Sequence, residues 1–182
     1  MGLIDVSKRK EVMNQVFSRE RKTTNEKLIE GILLEKYNSY YRMALSYTKN
    51  EADAADIVQE GAYRAIRMAG SLKDPKFAST WIYRIMMNEI YRSMSRAGAT
   101  SLDAIEYEGE GHEDRYRDTD LERALDSLDK KDQAVIKLRY FEEMTLNEIA
   151  RILDENENTV KSRLYRSLKK LRAKMEESGY DR

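Results

Sequence analysis

From Thr23 onward, apolar residues recur at intervals of three and four, the period of an amphipathic helix. Thr24, with Lys27 and Leu28 after it, is the expected start of a first helical stretch. Along that stretch Leu28, Ile32, Tyr40 or Tyr41, Ala44 and Leu45 keep the period, and Lys49-Asn50 predicts its stop. A second helix is expected from Glu51 to Met68, with Ala55, Ile57, Val58, Ala62, Ala65, Ile66 and Ala69 on its apolar side. The stretch from Gly70 to Ser79 contains the only proline, Pro75, and predicts a loop. Thr80 is then expected to cap a third long helix carrying Trp81, Ile82, Ile85, Met86 and Ile90, which fades near Arg96-Ala97-Gly98.

The pattern breaks over 101–122. Nine acidic residues there (Asp103, Glu106, Glu108, Glu110, Glu113, Asp114, Asp118, Asp120 and Glu122) face only Arg115 and Arg117 as basic partners. Like-charge repulsion and scarce apolar residues predict a linker. Helical periodicity resumes with Leu121, Leu125 and Leu128, followed by predicted helices over Asp132–Tyr140, Thr145–Leu153 and Asn156–Lys174. The expected fold is therefore all-α: two small helical domains joined by an acidic flexible linker. The expected boundaries are an N-terminal extension at 1–22, a first domain at 23–97, the linker at 98–121, a second domain at 122–176 and a tail at 177–182. Within 1–22, Val12, Val16 and Phe17 allow one short amphipathic helix, but a loosely ordered extension is the expectation.

Composition narrows the function. Thirty-three basic residues cancel thirty-three acidic ones, so only the distribution of charge speaks to a nucleic-acid partner. Without cysteine, neither a disulfide framework nor a thiolate metal site is available, which suits a reducing cytoplasm. No apolar run reaches a membrane span, and the first residues lack the apolar core of a signal peptide, so a cytoplasmic location is expected. His112, the only histidine, falls in the acidic linker, and no glycine-rich phosphate loop is present. No cofactor or metal is expected.

The strongest chemical signal lies near the C-terminus. A short helix begins at Thr145-Leu-Asn-Glu-Ile-Ala150, capped by Thr145 or Asn147, with Ala150 small enough for a close helix crossing. Asp154-Glu155-Asn156 reads as a tight polar turn. It lacks glycine, so Asp154 has to supply any left-handed backbone. The helix after it keeps Val160, Leu164, Leu168 and Leu171 on one stripe, while Lys161, Arg163, Arg166, Lys169, Lys170, Arg172 and Lys174 occupy the other faces. A basic run alone is usually a solvated surface. Placed after a short helix and a tight turn, it reads as the second helix of a DNA-binding helix-turn-helix.

These residues resemble the sigma-70 family of bacterial RNA polymerase sigma factors, in its extracytoplasmic function (ECF) group. Residues 148–153 (EIARIL) with 158–172 (NTVKSRLYRSLKKLR) are similar to region 4 of that family, as are 124–128 and 135–141 to its start. Residues 53–60 (DAADIVQE) are similar to region 2.2, and 80–85 (TWIYRI) with Asn88 to regions 2.3 and 2.4. The likeness spans about 28–175 in the family's order. The chain departs from the family where glycine and an apolar residue are replaced by Asp154 and Glu155, and again at Asn158, often glycine.

The resemblance implies a non-enzymatic, promoter-specific partner of core RNA polymerase. Asp53, Asp56, Gln59 and Glu60 would dock on the clamp helices of the beta-prime subunit, with a further contact between region 4 and the beta flap. Asp53, Asp56 and Glu60 share one helix face; spacing alone favours a solvated face, and the resemblance reverses that. Promoter melting at the −10 element would use Lys76, Phe77, Ser79, Thr80, Tyr83, Arg84 and Asn88. Trp81 is a further stacking candidate, but its spacing with Ile85 and Met86 favours a place in the core. At the −35 element, Lys161, Ser162, Tyr165 and Arg166 would approach base edges, and Thr159, Arg163, Lys169 and Lys170 phosphates. An anti-sigma factor is a further implied partner. The alternative is a stand-alone helix-turn-helix regulator, normally a dimer on paired half-sites. It leaves the motifs of the first domain unused and has no heptad stripe for dimerisation. An enzyme built on Asp53, Asp56 and Glu60 would need a second motif that the sequence lacks.

Overall fold

The computed structural model describes residues 23–100 and 119–177, which fall in two separate compact units. The expectations for 1–22, for 101–118 with His112, and for 178–182 lie outside these residues. No strand occurs among the described residues.

The first unit contains helices α1 (Thr24–Glu35), α2 (Tyr37–Thr48), α3 (Glu51–Arg67) and α4 (Ala78–Thr100). The single helical stretch predicted from Thr24 is two helices that break at Lys36. The stripe is also displaced by one residue. Ile29 and Leu33 are buried, where Leu28 and Ile32 were expected, and Tyr37, Tyr40, Met43, Ala44 and Tyr47 continue the buried face. The cap is Thr23, whose hydroxyl accepts the Glu26 amide while the Glu26 carboxylate accepts the amide of Thr23 in a reciprocal capping box. Asn50 caps α3 by accepting from the Asp53 amide.

The buried face of α3 is made of small residues, Ala54, Gly61, Ala62 and Ala65, with Ile57 and Val58 between them. Small side chains let α2 and α4 approach closely. At Gly61 a Cβ would collide with the Met86 sulfur of α4, which explains a glycine in mid-helix despite its cost there. The predicted loop before α4 contains two 3-10 turns, Ala69–Ser71 and Pro75–Phe77. The second begins with Asp74 accepting from the Lys76 amide and Pro75 in the first helical position. α4 then starts at Ala78, two residues before the expected cap, and runs to Thr100, past the expected fade and the expected linker boundary.

The second unit contains α5 (Thr119–Asp126), α6 (Lys130–Tyr140), α7 (Leu146–Leu153) and α8 (Glu157–Glu177). α6 is the central helix. Every residue from Asp132 to Leu138 is buried, and Asp129 caps it by accepting the amides of Lys131 and Asp132. Leu125, Leu128, Met144, Ile149, Ile152, Val160, Leu164 and Leu171 are buried in the same unit as Val135 and Leu138. The polar residues on this helix face have partners. The Gln133 amide donates to the Leu128 carbonyl at 3.0 Å and its oxygen accepts from Lys137 at 3.4 Å. Satisfying such groups matters because an unpaired buried amide costs about 1–3 kcal/mol.

Candidate functional site

The helix-turn-helix is α7, the turn and α8. Thr145 and Glu148 form a capping box at the start of α7. Asp154 adopts the left-handed conformation (φ 55°, ψ 44°), and the Glu155 amide donates to the Ala150 carbonyl at 3.0 Å. The Asn156 side chain accepts the Asn158 amide at 2.8 Å and starts α8. The sequence pattern predicted this turn, including the role of Asp154; the cap is Thr145, not Asn147. Asn147 instead bridges the two helices, donating to Glu157 at 3.0 Å and accepting from Arg151 at 3.0 Å.

With about 100° between successive residues, Ser162, Tyr165, Arg166 and Lys169 lie opposite the buried Val160–Leu164–Leu171 stripe of α8. All four are exposed, Tyr165 by 62 %. Lys161 flanks this face on one side, and Thr159 and Lys170 on the other. Lys161, Arg166 and Lys169 have no ion-pair partner among the described residues, so their charges are available to a ligand. The Ser162 hydroxyl donates to the Asn158 carbonyl at 2.8 Å, leaving its oxygen to act as an acceptor.

Arg163, expected among the phosphate candidates, has partners within its own unit. Its Nε donates to Glu155 at 2.9 Å and its Nη1 to Asp132 at 2.8 Å, so the guanidinium is turned into the domain. The hydrogen bond to Asp132, followed by that to Glu155, raises the Arg163 pKa further. Burial works against the Glu155 carboxylate, but hydrogen bonds from Lys131 and Arg163 outweigh it and hold its pKa below the usual value.

In the first unit, Asp53, Asp56 and Glu60 are exposed on α3 and Gln59 is half-buried. They border a cleft of about 650 Å³ between α3 and α4. Its opposite wall carries Glu89, Arg92 and Arg96. Arg64 joins the two walls, with Nε 2.8 Å from Glu60 and 2.9 Å from Glu89. Glu89 also accepts from Arg92 at 3.0 and 3.1 Å. Arg64 and Glu89 were not anticipated. The signals were present: Arg64 follows Glu60 by one helical turn, and Glu89 continues the Ile82–Ile85/Met86 stripe into the core.

The −10 candidates divide. Lys76, Arg84 and Asn88 are exposed, and Phe77 and Ser79 half-buried, with Lys76 4.8 Å from the Phe77 ring centre. Thr80 and Tyr83 are buried, Tyr83 leaving 1 % of its surface exposed. The Tyr83 ring packs edge-on against Tyr40 at 4.7 Å, which removes it from any base-contacting surface. Trp81 differs from expectation in the opposite sense. It is half-buried and falls on the same α4 face as Arg84 and Asn88, while Thr80, Tyr83 and Met87 take the core.

Among the described residues no cluster of His, Asp or Glu could hold a metal ion, and no helix is long and apolar enough to cross a membrane. A helical unit with an acidic helix face beside a charged cleft, joined in one chain to a helix-turn-helix with a basic second helix, has the make-up of a two-part DNA-binding transcription protein. The Sigma-70 region 2 profile matches residues 33–100, and that of Sigma-70, region 4 matches 118–171. RNA polymerase sigma factor SigV of Bacillus subtilis (strain 168) is 38 % identical over 159 residues, 86 % of this chain and 96 % of the relative. ECF RNA polymerase sigma factor SigE of Mycolicibacterium smegmatis is 31 % identical over 143 residues, 72 % of this chain and 55 % of the relative. The sigma factor RpoE of Bartonella quintana, solved in complex with the anti-sigma factor NepR, shares the fold with a TM-score of 0.68 at 23 % identity, covering 82 % of this chain and 96 % of RpoE. The chain belongs to the sigma-70 family of RNA polymerase sigma factors, in its ECF group.

Proposed function

We propose that this protein is an alternative sigma factor that docks on core RNA polymerase through the acidic face of α3 and places α8 in the −35 major groove. The observation that carries the DNA assignment is the exposed Ser162–Tyr165–Arg166–Lys169 face behind a fully capped turn. Arg166 and Lys161 suit guanine edges, and the Ser162 oxygen can accept from an exocyclic amine. Lys169, Lys170 and Thr159 lie where phosphates flank the groove. In the first unit, Asp53, Asp56 and Glu60 offer an acidic surface to the clamp helices of the beta-prime subunit, and complementary charge favours encounter and register.

The −10 surface is reassigned to Trp81, Arg84 and Asn88, with Lys76, Phe77 and Ser79 beside them. A half-exposed indole can stack on a displaced base, Asn88 can read an amide edge, and the cations can hold the backbone. The protein catalyses nothing by itself. It acts in the cytoplasm by lending sequence preference to the polymerase, with an anti-sigma factor as the expected restraint. Footprinting of the reconstituted holoenzyme on a selected promoter tests the assignment. Arg166→Ala is expected to remove upstream protection and Trp81→Ala to abolish strand opening while sparing upstream protection. Unchanged upstream protection in Arg166→Ala refutes the placement of α8.

A further inference from the structure

Six charged groups converge where α6, the turn and α8 meet. Asp132 is a buried carboxylate whose side chain is 4 % exposed. Arg163 reaches it across 31 residues of sequence and simultaneously bonds Glu155 in the turn. The other oxygen of Glu155 accepts from Lys131 of α6 at 2.7 Å. Asp129 lies 3.9 Å from the same guanidinium, and Lys170, about two α8 turns further along, lies 3.9 Å from Asp132. The result is a fork: one planar guanidinium ties the turn to the central helix, at the second turn of α8.

We propose that Glu155, Arg163 and Asp132 form a clasp that fixes the angle at which α8 is presented to DNA, with Arg163 a positioning residue that touches neither base nor phosphate. This inference rests on the reading that α8 contacts DNA. Apolar packing along Val160, Leu164 and Leu171 holds α8 against the unit but is itself non-directional. A bidentate arginine fixes direction as well as distance. The clasp acts close to Lys161, Ser162, Tyr165 and Arg166, so a small rotation there moves every base-facing side chain at once. It also gives Glu155 a role. A carboxylate beside a DNA-binding helix would repel phosphates, but here it is bonded to two cations and faces the domain.

The test uses holoenzyme reconstituted with the full chain. Binding is measured to a promoter duplex selected from a randomised library and to the same duplex with its upstream element scrambled, across a range of salt. Arg166→Met is expected to lower the salt slope by about one. Arg163→Lys and Glu155→Ala are each expected to reduce the selected-to-scrambled affinity ratio about tenfold, with the salt slope unchanged. The double variant should be no worse than the poorer single one. Lysine keeps the charge but lacks the planar fork that fixes the direction of both bonds, so Arg163→Lys separates clasp from phosphate contact even if Arg163→Met fails to fold. Three results overturn the clasp: an unchanged ratio in Arg163→Lys, a salt slope lowered in Arg163→Met as much as in Arg166→Met, or tighter binding to both duplexes in Glu155→Ala. An Arg166→Met variant that leaves both duplexes unaffected overturns the DNA-facing reading of α8 itself, and the clasp with it.

Discussion

Removing the charge of Glu89 tests how much the ion network joining the walls of the cleft contributes to the stability of the first unit. Its carboxylate is 4 % exposed and lies within 2.9–3.1 Å of Arg64 and Arg92, which are 38 % and 47 % exposed. Losing one partner of a fully buried pair costs about 3–5 kcal/mol, because the survivor is left charged and dry. In Glu89→Gln the survivors are two arginines that water still reaches, so the expected loss is smaller, about 1–2 kcal/mol. In Arg64→Met the survivor is the buried carboxylate, with only Arg92 left, and the expected loss is about 2–3 kcal/mol. The double variant removes both sides of the pair and should lose no more than Arg64→Met alone. The chain has one tryptophan, Trp81, and it lies in this unit, so urea denaturation followed by its fluorescence reports the right transition. The reasoning is refuted if the two losses simply add, with a coupling below about 0.5 kcal/mol, or if Arg64→Met costs less than Glu89→Gln.

Asp154→Gly is expected to stabilise the second unit by about 0.5–1 kcal/mol, since φ is 55° there and glycine adopts that backbone without strain; thermal melting of the full chain measures it. The carboxyl groups of Asp129 and Glu155 are held below their ordinary values: burial opposes this, and hydrogen bonds and nearby cations prevail. The folded chain therefore binds fewer protons than the unfolded one in the carboxylate range. Their contribution is complete above the unfolded value of about 4 and is lost as pH falls through the lower folded values, which a melting series from neutral pH to about 3 should register as a steepening loss, diminished in Glu155→Gln. Leu138→Ala, at a fully buried position of the central helix, should cost about 2–5 kcal/mol in urea denaturation followed by circular dichroism.

How legible the molecule was depends on which physical signal each part leaves in sequence. The helix-turn-helix was readable almost in full because its parts are local: a cap three residues from its acidic partner, a small residue at the crossing and a polar turn. The break at Lys36 was not, because the Tyr-rich run after it continues the apolar period without glycine or proline. Tyr83 and Trp81 differ from expectation in burial because both are aromatic and the phase of α4 decides which one faces inward. The bonds of Arg163 were hidden for a different reason. Its partner Asp132 lies on another helix, and a contact of that sequence separation leaves no periodic trace. The same holds for Glu89, whose burial was signalled by its stripe but whose arginine partners decide that it can be there at all.

The central claim is that this chain turns core RNA polymerase into a promoter-specific enzyme. Runoff transcription tests it most directly, with core polymerase on a library of promoter fragments, in the presence and absence of the protein. Transcripts that start at defined sites, depend on the protein and vanish with Arg166→Ala are the predicted result. No protein-dependent transcript from an active core polymerase, together with no binding of the protein to core, would contradict it.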